Sequence, residues 1–292
     1  MKVRIVAKKD LKKIQSEDWV NPQRRPYIHG ETAYIPVRDG YAFDREISER
    51  RRYTGRGFFM VGEVAVIHGT KPSQQDIERI VSFRRPKGII WIRSLLEYTR
   101  TPDADVMYGE AGEVRHHENG HIYILDPKKI MFAQGNREEK RRMADIIRTA
   151  GKTERVADMY AGIGYFTIPM AAIGAFVHAI EINPVAFGYL QRNIEQNALS
   201  GHVEASCGDC RDLLFRTYDR IVMGHFDAIT MLPQALKHIR SGSFIHLHSL
   251  GSVENEIRLH LERAGFSAEI HVHKVKKYRP HTWHVVQDVM IA

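Results

Sequence analysis

The chain has 292 residues, 43% of them hydrophobic, enough for two ordinary domains or one large one with a real core. No uninterrupted apolar run reaches membrane-spanning length. Met1 to Val6 lacks the apolar stretch and small-residue cleavage site of a signal peptide, so a cytoplasmic enzyme is expected. The net charge of +8 is uneven: residues 1–130 hold 24 Lys and Arg against 18 Asp and Glu, and residues 131–292 hold 19 against 17, which points to a polyanionic partner on the first part.

In chain order, Lys2 to Ala7 alternates like a strand, and Ala33 to Val37 and Val61 to Ile67 are further strand candidates. Ser73 to Phe83 places Ile77, Ile80 and Val81 at helical spacing. Gly88 to Ile92 and His121 to Leu125 read as strands, the second stopped by Asp126-Pro127. Two basic clusters lie among them: Arg50-Arg51-Arg52-Tyr53, running into Arg56, Phe58 and Phe59, and Arg84-Arg85-Pro86-Lys87. Basic side chains interleaved with aromatic ones suit RNA, whose phosphates take the charge and whose unstacked bases take the rings; a solvated charge run is the bland alternative. These features predict two domains: a small basic α/β domain over residues 1–130 and a catalytic α/β domain over 131–292.

The helix predicted over Arg137 to Thr149 turns Met143, Ile146 and Ile147 inward and bridges into the second domain, with Arg142 and Arg148 as surface charge. From Arg155 onward strands alternate with helices, which predicts a parallel sheet. Strands are expected at 155–157, 176–180, 201–205, 218–223 and 242–248, with helices at 165–173, 184–197 and 253–264. Two closing runs, Ala268 to Val275 and Trp283 to Ile291, suit an antiparallel pair.

The first of these strands runs into Asp158-Met-Tyr-Ala161-Gly162-Ile-Gly164, a glycine turn before a helix, where bare backbone can approach a ligand closely. Glu181 ends the next strand, at the position where ribose hydroxyls are bound in such sheets. A dinucleotide fingerprint would have a third glycine where Thr167 stands, and no glycine-rich loop ends in Lys-Ser or Lys-Thr. A second acidic site, Asp209, follows the third strand. Together these residues resemble the class I S-adenosylmethionine (SAM) fold, a Rossmann-like seven-stranded sheet. In that fold the turn passes under the methionine portion, the first acidic residue takes the ribose and the second faces the adenine. Cys207 and Cys210 form a C-x-x-C with no second pair to complete a zinc site, and no metal is expected. His246 with His248, and His271 with His273, fall two apart, each pair on one face of a strand.

The stretch Asp158 to Pro169, with Ala179-Ile180-Glu181-Ile182-Asn183-Pro184, resembles the family of SAM-dependent enzymes that modify the guanine 3′ of the anticodon in tRNA. So do Met131-Phe132-Ala133-Gln134-Gly135-Asn136 upstream and Tyr278 to His284 downstream. One branch of that family methylates a ring nitrogen. The other, in the wybutosine pathway, transfers the 3-amino-3-carboxypropyl group of SAM to a tricyclic derivative of the same base in phenylalanine tRNA and leaves methylthioadenosine. Ile163 and Tyr165 at the turn, Met223-Gly224-His225 in place of an Asn-Pro signature, and Gln134-Gly135-Asn136 in place of a Pro-Arg-Phe pattern point to the second branch. The resemblance implies cofactor contacts from Gln134, Lys140, Arg141, Asp158, Ala161, Gly162, Gly164, Glu181, Asn183, Asp209 and Cys210, with Lys140 or Arg141 reaching the cofactor carboxylate. It leaves His225 as a candidate for contact with the base or for capping a turn. The alternatives are the methyltransferase of the same family and a non-catalytic RNA-binding protein that keeps the fold.

Overall fold

The computed structural model describes residues 1–14, 16–48, 53–96 and 100–292. The basic run Arg50-Arg51-Arg52 lies outside the described residues. The chain divides into two compact units, Met1–Gly55 and Arg56–Ala292. Residue 130 therefore falls inside the larger unit.

In the first unit, strands β1 (Lys2–Ala7), β2 (Tyr27–His29), β3 (Thr32–Pro36) and β4 (Arg45–Glu46) form one sheet in the order β2-β3-β1-β4, with a one-turn helix α1 (Leu11–Ile14) beside it. Val20, Ala33 and Ile35 make its small core, with Val6, Leu11, Ile14 and Trp19 packed on them.

The second unit opens with β5 (Phe59–Val61), β6 (Val64–His68), helix α2 (Gln74–Arg84), β7 (Gly88–Leu96) and β8 (Thr101–Gly109), a sheet in the order β5-β6-β7-β8. The single strand expected over residues 61–67 is a hairpin instead. Gly62, at φ +55°, turns the chain, and a Cβ there would sit 2.8 Å from Val114 Cβ. α2 starts where its sequence says it should: Ser73 and Asp76 form a reciprocal capping box. A second hairpin, β9 (Val114–Glu118) and β10 (His121–Leu125), turns at Asn119-Gly120, both at positive φ, the geometry that matches strand twist.

Helix α3 (Arg137–Thr149) has the bounds its periodicity predicts. After it come β11 (Arg155–Asp158), α4 (Thr167–Ala171), β12 (Phe176–Glu181), α5 (Pro184–Gln196), β13 (Val203–Cys207), α6 (Cys210–Leu213), β14 (Arg220–Met223), α7 (Leu232–Ala235), β15 (Phe244–Leu250), α8 (Glu254–Arg263), β16 (Ala268–Arg279) and β17 (Thr282–Ile291). They build a seven-stranded sheet in the order β13-β12-β11-β14-β15-β17-β16. The first five strands are parallel, and β17 and β16 close the sheet antiparallel. Strand order reverses between β11 and β14, so a crevice opens outside their carboxyl ends, at Asp158 and Met223.

Two apolar layers cover this sheet. One holds Val156, Val177, Val222, Met143, Ile168 and Leu190; the other holds Ile221, Ile245, Leu247, Ile257 and Val289. β15 alternates between them: Ile245 and Leu247 face the α8 side, while His246 and His248 point to the opposite face. Three buried histidines, His246, His248 and His284, thus share the α3 side with Asp288.

Candidate functional site

β11 delivers Asp158 to the crevice, and the next residues are pinned by backbone bonds: Met159 N–H to Val222 O and Ala161 N–H to Ile180 O, each 3.0 Å. The turn then requires glycine twice. Gly162 has φ +57°, and a Cβ on it would lie 2.6 Å from the Tyr165 ring. Gly164 has φ +99°, and a Cβ would lie 2.9 Å from Ile168. Ala161, fully buried, starts the turn and packs into the apolar layer.

Glu181 leaves the end of β12 and turns back onto this loop. Its Oε2 accepts the Gly162 N–H at 2.7 Å and its Oε1 accepts the Asn183 N–H at 2.7 Å. Asn183 in turn caps α5, accepting from Val185 and Ala186, with Pro184 at the first helical position. Burial raises the Glu181 pKa, and the backbone N–H groups of Asn183 and Gly162 oppose the rise. A carboxylate at a strand's carboxyl end, beside two glycines with no side chain, is the arrangement that receives a nucleoside's paired hydroxyls.

Asp158 is fully buried. Thr167 Oγ1 donates to its Oδ2 at 2.7 Å, and its Oδ1 makes no hydrogen bond of ordinary geometry. Burial lifts its pKa from 3.8 to about 6, against the pull of the Thr167 hydroxyl and the Tyr160 N–H. Thr167, noted in the sequence only as a missing glycine, is thus the residue that orients the aspartate. A buried carboxylate oxygen with spare acceptor capacity, under a loop that tolerates no Cβ at Gly162 or Gly164, fits a ligand carrying an ammonium and a ribose, as SAM does.

Asp209 caps α6, accepting the Arg211 N–H at 2.9 Å, and also takes the Arg211 guanidinium at 2.6 Å and 3.0 Å. Its neighbour Cys210 is buried, with its thiol pKa pushed up to about 11 by burial first and by Asp209 second. Both cysteines are free, and among the described residues no group of three or more His, Cys, Asp or Glu could hold a metal. The ring of His225 stacks on Tyr160 at 5.5 Å, and its Nδ1 accepts the Asp227 N–H at 3.2 Å, so it caps the turn after β14.

The α3 end of the site departs most from expectation. Lys140 does not stand open toward a ligand. Its ammonium is 1% exposed, bonds Glu118 Oε1 at 2.6 Å, and sits among the rings of Phe132, Tyr165 and Tyr123. Burial lowers its pKa and Glu118 raises it. The reason is topological: the β9–β10 hairpin brings Glu118 against the helix, a contact no local pattern encodes. Arg141 is exposed and pairs with Glu138. Arg142, expected as surface charge, is instead locked between Glu139 and Asp288 with bonds of 2.6–3.1 Å. The preceding turn Gln134–Asn136 is a short 3-10 helix. Lys276 packs over it so closely that a Cβ on Gly135 would lie 2.5 Å from the ammonium.

Asp158, Ala161, Gly162, Gly164, Glu181 and Asn183 thus form one connected cluster, with Asp209 and Cys210 at the end of the neighbouring strand β13. Among the described residues, no helix is long and apolar enough to cross a membrane.

The family described as the TRM5/TYW2 methyltransferase domain matches residues 114–276. A Methanocaldococcus jannaschii protein named tRNA(Phe) (4-demethylwyosine(37)-C(7)) aminocarboxypropyltransferase is 36% identical over 241 residues, covering 78% of this chain and 95% of that one. A Pyrococcus horikoshii protein of the same name is 36% identical over 204 residues, covering 66% and 72%. The solved structure of M. jannaschii TYW2 in complex with AdoMet aligns with a TM-score of 0.65 at 31% identity, over 80% of this chain and 99% of that one. Pyrococcus abyssi Trm5b, at 24% identity, shares the fold over 99% of both chains with a TM-score of 0.74.

Proposed function

The chain belongs to the TRM5/TYW2 family, and from that premise we propose that it transfers the 3-amino-3-carboxypropyl group of SAM to 4-demethylwyosine, 3′ of the anticodon in phenylalanine tRNA, with release of 5′-methylthioadenosine. The observation that carries this reading is the cradle at the ends of β11 and β12, where Glu181 grips the glycine turn and Asp158 keeps a buried oxygen in reserve. Beside it, at the end of β14, stands Met223-Gly224-His225, where the methylating branch would have its Asn-Pro signature.

In this reading Glu181 receives the ribose hydroxyls, Gly162 and Gly164 admit the methionine portion, and Asp158 accepts from its ammonium. Asp209 and the Cys210 backbone border the adenine, and Ala161 and Asn183 shape the loop. For the carboxylate end, Gln134 and Lys276 stand at the same turn. Lys140 would have to release Glu118 first, and Arg141 would have to release Glu138. SAM supplies a sulfonium, whose positive sulfur makes each attached carbon electrophilic. Which carbon reacts is set by which one the protein holds in line with the nucleophile, about 3 Å away. The protein's task is therefore orientation, and it needs no metal for it. The basic residues of 1–130 are assigned to gripping the tRNA backbone.

The test uses SAM labelled separately in the methyl and carboxypropyl groups, with phenylalanine tRNA carrying 4-demethylwyosine. The expected products are methylthioadenosine and a nucleoside heavier by the four-carbon amino-acid chain. S-adenosylhomocysteine and a nucleoside heavier by one methylene would assign the methyltransferase instead.

A further inference from the structure

Resting on that reading, we infer that Arg100 and Lys276 together seat the carboxylate of SAM's amino-acid tail and hold that tail toward the acceptor turn. Lys140, Arg142 and Arg220, cations drawn out of water around the same sheet, each have an acid: Glu118, then Glu139 with Asp288, then Glu154. Arg100 and Lys276 have none among the described residues. Arg100 stands just before β8 and is half-buried. Its one hydrogen bond among the described residues runs to a weak acceptor, Met131 Sδ, at 3.6 Å, and its Nε is buried with no hydrogen-bond partner. Lys276, on β16, is half-buried too; burial lowers its pKa, and the nearby charge of Arg100 lowers it further. Two like charges held together, partly out of water and without an anion, are unfavourable until an anion arrives.

The pair stands at the methionine end of the cradle. Lys276 lies over the Gln134–Asn136 turn, against Gly135. Met131, just upstream of that turn, gives its sulfur to Arg100 and its carbonyl to the Tyr165 hydroxyl. The Tyr165 ring is the one that a Cβ on Gly162 would strike at 2.6 Å, and its hydroxyl feels the charges of both Glu181 and Arg100. Met131 and Tyr165 thus link Arg100 to the loop that Glu181 holds. The same guanidinium lies over the ring of Phe226, 5.3 Å from its centroid, in the turn after β14. Tyr278 of β16 packs edge-on against that ring, also at 5.3 Å. The two cations therefore stand where the cofactor turn meets the acceptor turn.

The chemistry of this seat suits a carboxylate. A guanidinium presents paired N–H donors that match two carboxylate oxygens, and an ammonium beside it adds charge without demanding one geometry. SAM carries its carboxylate at the far end of the carbon chain that leaves the sulfur, on the same carbon as the ammonium that Asp158 receives in this reading. With the ribose on Glu181 and the carboxylate on Arg100 and Lys276, that chain is held at both ends, while the methyl group offers nothing polar to hold. 5′-Methylthioadenosine keeps the adenine and the ribose but has no carboxylate, so it makes no use of this seat.

Calorimetry with SAM and with 5′-methylthioadenosine, on the wild type, Arg100→Met and Lys276→Met, tests the inference without turnover. Each variant should bind SAM about tenfold more weakly or worse, and bind methylthioadenosine within about twofold of the wild type. Arg100→Lys, which keeps the charge, should recover part of the loss. Equal losses for the two ligands would mean that the side chains only support the turn, and would overturn the inference. SAM binding at wild-type strength would overturn it as well; weaker binding of phenylalanine tRNA by the same variants would then give the pair to an RNA phosphate. If the wild type releases S-adenosylhomocysteine in place of methylthioadenosine, the functional reading fails. The comparison still judges the pair, because SAM brings its carboxylate to either reaction.

Discussion

Glu181 holds the loop it serves: its carboxylate accepts the N–H of Gly162, 19 residues earlier, at 2.7 Å, while its other oxygen accepts from Asn183. One side chain therefore fixes the cofactor turn to the neighbouring strand and the start of α5. Glu181→Ala should weaken SAM binding more than tenfold, about 1.4 kcal/mol or more. Isothermal calorimetry reads this directly, and an unchanged dissociation constant would remove Glu181 from the ribose.

Gly164→Ala tests the turn itself. The substitution combines a left-handed φ of +99° with a Cβ 2.9 Å from Ile168 and 3.3 Å from Leu190. The expected loss is roughly 1–3 kcal/mol, seen as a lowered thermal midpoint, with SAM binding reduced as well. A variant as stable as the wild type would mean that the loop relaxes freely.

Removing the Lys140 charge should be far worse than its helical surface pattern suggests. Lys140→Met leaves Glu118, 4% exposed, as a buried carboxylate without its partner, at a cost of about 3–5 kcal/mol. The double variant Lys140→Met with Glu118→Gln should recover much of that loss. Chemical denaturation of the single and double variants measures the difference, and equal losses in both would argue against the pair.

The pH dependence has two opposing arms. Folded Asp158 keeps its proton up to about pH 6, while unfolded aspartate gives it up near 3.8. The folded state thus binds the extra proton in that window, and stability falls as pH rises through it, by about 3 kcal/mol in all. Asp288 runs the other way. Burial pushes its pKa up, but hydrogen bonds from His246 and Arg142 outweigh burial and hold it well below the usual carboxylate range. Its contribution is present above that range and disappears as the solution becomes more acid. Asp158→Asn should flatten the loss between pH 4 and 6 and leave the acid arm intact, as read from denaturant midpoints across pH. Asp288→Asn should do the reverse.

Much of the larger unit was legible because its signals are local. Strict apolar runs bounded by Pro184, Gly164 and Asp126-Pro127 mark the strands and helix starts, and the spacing of Asp158, Gly162, Gly164 and Glu181 marks the cradle. What escaped notice depends on partners distant in sequence. β8 begins Thr101-Pro102-Asp103, which reads as loop; it is a strand because it pairs with β7 as a sheet edge, where proline is tolerated. β9 is Val-Arg-His-His-Glu, too polar to announce itself, and it is held by β10. Arg142 looks like an ordinary helix-surface arginine until Asp288, 146 positions later, is brought against it. His248 and His284 carry no signal of pairing, since their contact exists only in the register of β15 against β17.

The chain of contacts that begins at Glu154 and Arg220 and ends at Glu139 passes through His246, Asp288 and Arg142, with bonds of 2.5–3.1 Å. Asp288, on β17, is where that chain passes from the sheet to the helix: it takes Arg142 of α3 with two bonds and meets His246 of β15 with a third. Loosening this single carboxylate would therefore slacken at once the antiparallel end of the sheet and the helix that leads into the nucleoside cradle, so a substitution far along the chain would be felt as a change in how firmly the cofactor is gripped.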